Sequence, residues 1–125
     1  SQPDGVTDGF YTFAQFDTPS RENCDEWVCN WIDKYEDIYG NSPNIGSAYG
    51  YMYADITAKA IEIAGSDLNV DSFTSGLESI DNYEMPFGES VLSWGPDKHL
   101  GSSDAYLFVV EEGRFVRADN MKYEY

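Results

Sequence analysis

Residues 48–66 read AYGYMYADITAKAIEIAGS, and this run decides the fold. Tyr51, Ala54, Ala58, Ile61 and Ala64 recur three or four residues apart, the spacing of one helix face. Tyrosines at alternate positions, Tyr49, Tyr51 and Tyr53, open the run. Gly65 closes it, where a helix end favours a positive φ that glycine adopts without steric cost. A helix apolar on nearly every side is predicted to be buried. Its N-terminal end carries backbone N–H groups without helical partners and favours anions. A polar-aromatic mouth on a buried helix reads as the inside of a binding lobe.

Upstream, Phe10 to Phe16 alternates large and small side chains and is predicted as a strand. Asp17-Thr18-Pro19-Ser20 follows, with Thr18 or Ser20 as the expected N-cap of a helix from about Arg21 to Tyr39. Trp27, Val28, Trp31, Ile32, Tyr35, Ile38 and Tyr39 make its apolar stripe, and Gly40 ends it. Residues 41–44 read as a loop. Downstream, Asp71 is the expected cap of a short helix reaching Ile80. Residues 81–87 read as a loop, 88–94 as a short strand and 95–104 as a turn-rich loop with the only histidine, His99. Ala105 to Val110 is the most hydrophobic strand candidate, and Glu111-Glu112-Gly113 turns it into a hairpin with residues 114–117. Residues 119–125 read as a frayed tail.

At 125 residues and 42% hydrophobic content, the chain has enough apolar mass for one domain with a core. Its charge is strongly negative: 23 acids against 7 bases, net −16. That balance argues against nucleic acid as a partner, because phosphate contacts need Lys and Arg, and against docking on anionic lipid. The acids are dispersed along the chain, as on a solvated surface. No apolar stretch approaches the roughly 20 residues of a membrane span. Cys24 and Cys29 lie five apart, and on an ideal helix their Cα atoms would stand roughly 8–9 Å from one another. That is too far for an unstrained bridge, so the expectation is two reduced cysteines.

Catalytic patterns are weak. Nucleophilic catalysis would need Ser or Cys beside His and an acid. His99 is the sole histidine, no G-x-S-x-G occurs, and Gly46-Ser47-Ala48-Tyr49-Gly50 imitates a nucleophile elbow only loosely. Pairs such as Asp33/Asp37 read as solvating charge on a helix face. One histidine makes a zinc site improbable, and no twelve-residue calcium loop is present. Neither an enzymatic role nor a metal or other cofactor is expected.

Taken in order, several segments resemble type I periplasmic substrate-binding proteins, the branched-chain amino acid receptor family of ABC importers. They are GFYTFAQFDTPS, the helix ending YEDIYGNSPN, AYGYMYADITAKAIEIAGS, the loop SWGPDKHLGSSDAY and the closing LFVVEEGRFV. The resemblance covers residues 9–118 and identifies residues 1–125 as a C-terminal fragment of a two-lobed protein. It implies an α/β fold: a partial lobe with helices on a mostly parallel sheet and a C-terminal hairpin. It also implies a non-catalytic receptor that holds a small molecule, such as an amino acid or related carboxylate or amide, in the inter-lobe cleft by hinge closure. The implied partners are that ligand, the missing N-terminal lobe and an ABC permease, with self-association through exposed edges. The implied location is periplasmic or extracellular, with a lipid anchor on the full-length protein. Carried onto this sequence, the cleft-facing residues are Gln15 and Phe16 at the strand end and Ser47, Ala48 and Tyr49 at the helix mouth. The alternative is a ligand-sensing module of the same fold, uncoupled from transport.

Overall fold

The computed structural model describes residues 7–22, 24–88 and 90–124. Strand β1 (Tyr11–Ala14) leads to helices α1 (Glu26–Tyr39), α2 (Ile45–Ala64) and α3 (Val70–Glu78). Two short strands, β2 (Tyr83–Glu84) and β3 (Val91–Leu92), pair with each other, and β4 (Asp104–Glu111) and β5 (Arg114–Glu124) close the chain.

The sheet differs from the parallel arrangement expected. Its order is β1-β4-β5, and both pairings are antiparallel, as is the separate β2-β3 pair. The reason for β4-β5 is local. Glu112 and Gly113 both take positive φ, 52° and 74°, which gives the two-residue turn whose twist matches an antiparallel hairpin. β1 meets the other edge of β4 with Tyr11 opposite Val109 and Ala14 opposite Tyr106. Nor is the C-terminal stretch a frayed tail: β5 pairs with β4 as far as Glu124 opposite Asp104. An ion pair from Lys122 Nζ to Asp104 Oδ2 at 3.2 Å holds that end.

The helices begin later or earlier than the pattern suggested, because their caps are other residues. Asp25 caps α1, its Oδ1 accepting the Val28 N–H at 2.8 Å. Ser20 instead closes a local turn, accepting the Glu22 N–H at 3.2 Å. Asn44 caps α2 and Asn69 caps α3, each in a reciprocal capping box with a serine three residues on, Ser47 and Ser72. Gly40 and Gly65 end α1 and α2 with positive φ, 70° and 74°, but only Gly40 is left-handed helical, since Gly65 has ψ of −157°.

The buried face of α2 is also shifted. Ala48, Met52, Ile56 and Ala60 point into the core, while Ala54, Ala58 and Ile61 are exposed. The docking of α3 selects this face. A Cβ on Gly76 would stand 2.4 Å from the Ala60 carbonyl oxygen, so the two helices touch backbone to backbone there. The main core joins that face to Phe16, Val28, Ile32, Ile80, Tyr83, Met85, Phe87 and Leu92.

Cys24 and Cys29 are bridged, not reduced. Their Cα atoms are 5.3 Å apart because Cys24 precedes the α1 cap and is not on the helix. The helical spacing therefore does not apply to the pair.

Two results test this packing. Gly76→Ala should lower stability by about 1–3 kcal/mol through forced separation of α2 and α3. Gly50→Ala, on open helix surface, should raise it by up to about 1 kcal/mol. Thermal unfolding that ranks the two in reverse order would contradict the α2–α3 contact. Separately, Cys24→Ser with Cys29→Ser should cost about 2 kcal/mol for so short a loop, read as a lower denaturation midpoint with unchanged m-value.

Candidate functional site

The N-terminal half of α2 meets the end of β1 at an aromatic corner. Phe16 is 1% exposed and sits beneath Tyr49, edge to face, with ring centroids 4.5 Å apart. Tyr49 stacks on Tyr53, one turn further along α2, at 5.8 Å. Edge-to-face and offset geometries are the arrangements that aromatic quadrupoles favour. Behind the corner, Phe87 contacts Trp27, Trp31 and Tyr51, so the aromatic layer continues into the core.

Each residue expected at the cleft has a definite place. Gln15 is half-buried, and its backbone carbonyl accepts a hydrogen bond from Ser90 Oγ at 3.2 Å. Ser47 is half-buried and serves the α2 cap: its N–H donates to Asn44 Oδ1 at 3.1 Å and its Oγ donates to the Tyr35 hydroxyl at 3.0 Å. Tyr49 is half-buried with its phenol at the corner. Phe16 and Ala48 lie beneath these, in the core. Phe16 and Tyr49 are thus brought into contact, and Ser47 is tied to Tyr35 on α1. Two members of the corner are additional: Tyr53, four residues after Tyr49, and Tyr35. Helical periodicity carries the first, since positions four apart share a face. Nothing in the sequence pairs Tyr35 with Ser47.

A groove of about 430 Å³ opens beside the corner. Gln15, Tyr53, Thr57 and Ser102 supply its polar groups, and Met52, Ile56, Phe73, Leu77 and Trp94 are among its apolar wall. Concave apolar surface with a few polar groups suits a small organic ligand better than a reaction. Among the described residues no three His, Cys, Asp or Glu side chains gather as metal ligands. His99 reaches Glu78 at 3.4 Å on the exposed end of α3. Among the described residues no helix is long and apolar enough to cross a membrane.

Burial, then the neighbouring Tyr53, holds the Tyr49 phenol above its ordinary value. Burial also raises Tyr83, helped by the hydrogen bond it donates to Asp55 Oδ2 at 2.9 Å, which links β2 to α2. Both therefore stay protonated in the fold at a pH where unfolded tyrosines, with pKa near 10.0, ionise. Their contribution to stability is complete below that pH and is lost as pH rises toward the folded values. The alkaline limb of stability against pH should accordingly be shallower in Tyr83→Phe than in the parent chain. An unchanged slope in chemical-denaturation midpoints across alkaline buffers would refute the assignment.

A family model described as periplasmic binding protein matches residues 2–114. No curated protein matches the sequence. Among solved structures, the leucine-binding protein LivK of Thermotoga maritima superposes with TM-score 0.67 at 16% identity, over 92% of this chain and 31% of its own. A solute-binding protein of an ABC transporter from Rhodopseudomonas palustris, in complex with 3,4-dihydroxybenzoic acid, gives 0.68 at 17% identity, over 96% and 32%. An ABC transporter substrate-binding protein from Desulfitobacterium hafniense, in complex with Leu, gives 0.60 at 21%, over 89% and 31%. At such identities the likeness establishes the fold, and the chain spans about a third of each structure's length. With its family model covering most of the sequence, the chain belongs to the periplasmic binding protein family.

Proposed function

We propose that this chain is the C-terminal portion of an extracytoplasmic solute-binding component of an ABC importer. It contributes one wall of an inter-lobe cleft that closes on a small molecule by hinge motion, and it delivers that molecule to a membrane permease. The observation that carries this reading is the aromatic corner of Tyr49 on Phe16 and Tyr53 in a chain of this family. Periplasmic binding proteins are receptors, not enzymes, and a corner of rings beside an apolar groove fits recognition without chemistry. The Cys24–Cys29 bridge supports a location outside the cytoplasm, where disulfides persist.

Tyr49 is the proposed contact residue, its ring held from below by Phe16. Gln15 and Ser47 flank it with polar groups, and Phe16 and Ala48 act through packing. Ligands named for structural neighbours, leucine and dihydroxybenzoate, are both small carboxylates with an apolar body. That chemistry is the class proposed here: an amino acid, amide or aromatic acid whose apolar part rests on Tyr49.

The test uses the two-lobed parent protein, screened by thermal shift and then calorimetry against leucine and benzoate. Tyr49→Ala should weaken the ligand that binds by about 1.5–3 kcal/mol, roughly ten- to a hundredfold in Kd. Binding unaffected by that change removes the corner from the site. The 125-residue chain alone should show no specific shift. A strong one would overturn the half-site reading.

A further inference from the structure

The Tyr35 hydroxyl stands at the end of a directed chain of hydrogen bonds. The Asn44 N–H donates to Ser47 Oγ at 3.3 Å, and Ser47 Oγ donates to the Tyr35 hydroxyl at 3.0 Å. A hydroxyl has one proton to give and lone pairs to accept with. The Ser47 proton is therefore committed to Tyr35, while the Tyr35 proton meets no acceptor among the described residues. Each donation polarises the next, so the last O–H of such a chain donates more strongly than an isolated phenol.

The ring that carries this hydroxyl is fixed. It lies on α1 between Trp31 and Tyr39, with ring centroids 5.6 Å and 4.5 Å away. The donor is thus in place before any ligand arrives, which removes an ordering cost from binding. Glu36, the neighbouring acid, is engaged elsewhere: its carboxylate accepts from Ser42 Oγ and from Arg21, both at 2.6 Å. The first turn of α2 contains no acid either. The chain has 23 acids, and none of those described takes the Tyr35 proton.

The aromatic corner otherwise lacks an anchor for charge. Tyr49 offers the face of a ring, Phe16 and Ala48 lie in the core, and the Ser47 hydroxyl is already in use. None of the residues placed at the corner or in the groove beside it is basic. Of the two hydroxyls at the start of α2, Tyr35 is the one with a proton to offer. A neutral O–H makes a shorter and stronger hydrogen bond to a carboxylate than to an uncharged carbonyl.

We propose that Tyr35 is a ligand-binding residue whose hydroxyl donates to the carboxylate of the bound solute, with Ser47 as the positioning residue behind it. The proposal rests on the solute-binding reading of the corner. Ser47 and Tyr49 lie two residues apart, about 3 Å along the helix axis. A molecule with its apolar body on Tyr49 and its carboxylate on Tyr35 therefore spans the start of α2. The ligand class narrows accordingly: free acids bind in preference to the corresponding amides.

The experiment titrates the two-lobed parent protein by calorimetry with two matched pairs, leucine and leucinamide, benzoate and benzamide. Tyr35→Phe keeps the ring and its packing and removes only the donor. It should raise the Kd of the acid that binds roughly ten- to a hundredfold, and that of its amide by less than about threefold. Ser47→Ala should raise the Kd of the acid about three- to tenfold, because the donor remains but loses its orienting partner. Ser47→Thr, which keeps the hydroxyl, should restore it. Equal losses for acid and amide in Tyr35→Phe would mark a structural role and overturn the proposal. Tyr49→Ala, measured alongside, separates the two readings. Weaker binding there with unchanged binding in Tyr35→Phe overturns this inference alone. A parent that binds neither leucine nor benzoate overturns both.

Discussion

The side chain of Phe16 is the point on which the arrangement turns. The backbone on either side of it is bound to the loop before β3: Ser90 Oγ donates to the Gln15 carbonyl and the Asp17 N–H donates to the Phe87 carbonyl. The ring itself enters the core between Tyr49 and Phe87. Burying a ring of this size stabilises by roughly 2–3 kcal/mol, and here the same burial orients α2 against the end of β1. The approach is possible because residue 88 has no side chain. A Cβ there would stand 2.8 Å from the Cβ of Phe16.

The helices were largely legible in the sequence, but their buried faces were not equally so. Glycines at 40 and 65 mark two ends because positive φ is chemically expensive for any other residue. The face of α2 is a different matter. The rows Ala48–Met52–Ile56–Ala60 and Tyr51–Ala54–Ala58–Ile61 are about equally apolar, so periodicity alone gives no preference. The choice is made by Gly76, which lies on another helix and allows α3 to approach Ala60. That contact is tertiary and has no local signature.

The sheet and the candidate site divide in the same way. The β4–β5 turn was readable because Glu112-Gly113 suits a tight hairpin, whereas the length of β5 depends on Lys122 finding Asp104 eighteen residues away in sequence. Burial works against the Asp104 charge, but the hydrogen bonds from Ser102 and Lys122 outweigh it and keep the carboxyl below its ordinary range. At the aromatic corner, Tyr49 stood out by its position at a helix mouth. Its partner Phe16 is 33 residues earlier, and no local pattern fixes the contact between the two rings.

The disulfide has a consequence for how the polypeptide matures. The chain contains only two thiols, five residues apart, so within it there is a single way to oxidise them. Closing that ring requires no distant segment to have arrived. Oxidation can therefore come before the long-range pairing of β1 with β4. A polypeptide with this spacing can begin its assembly from a finished covalent corner at the foot of α1.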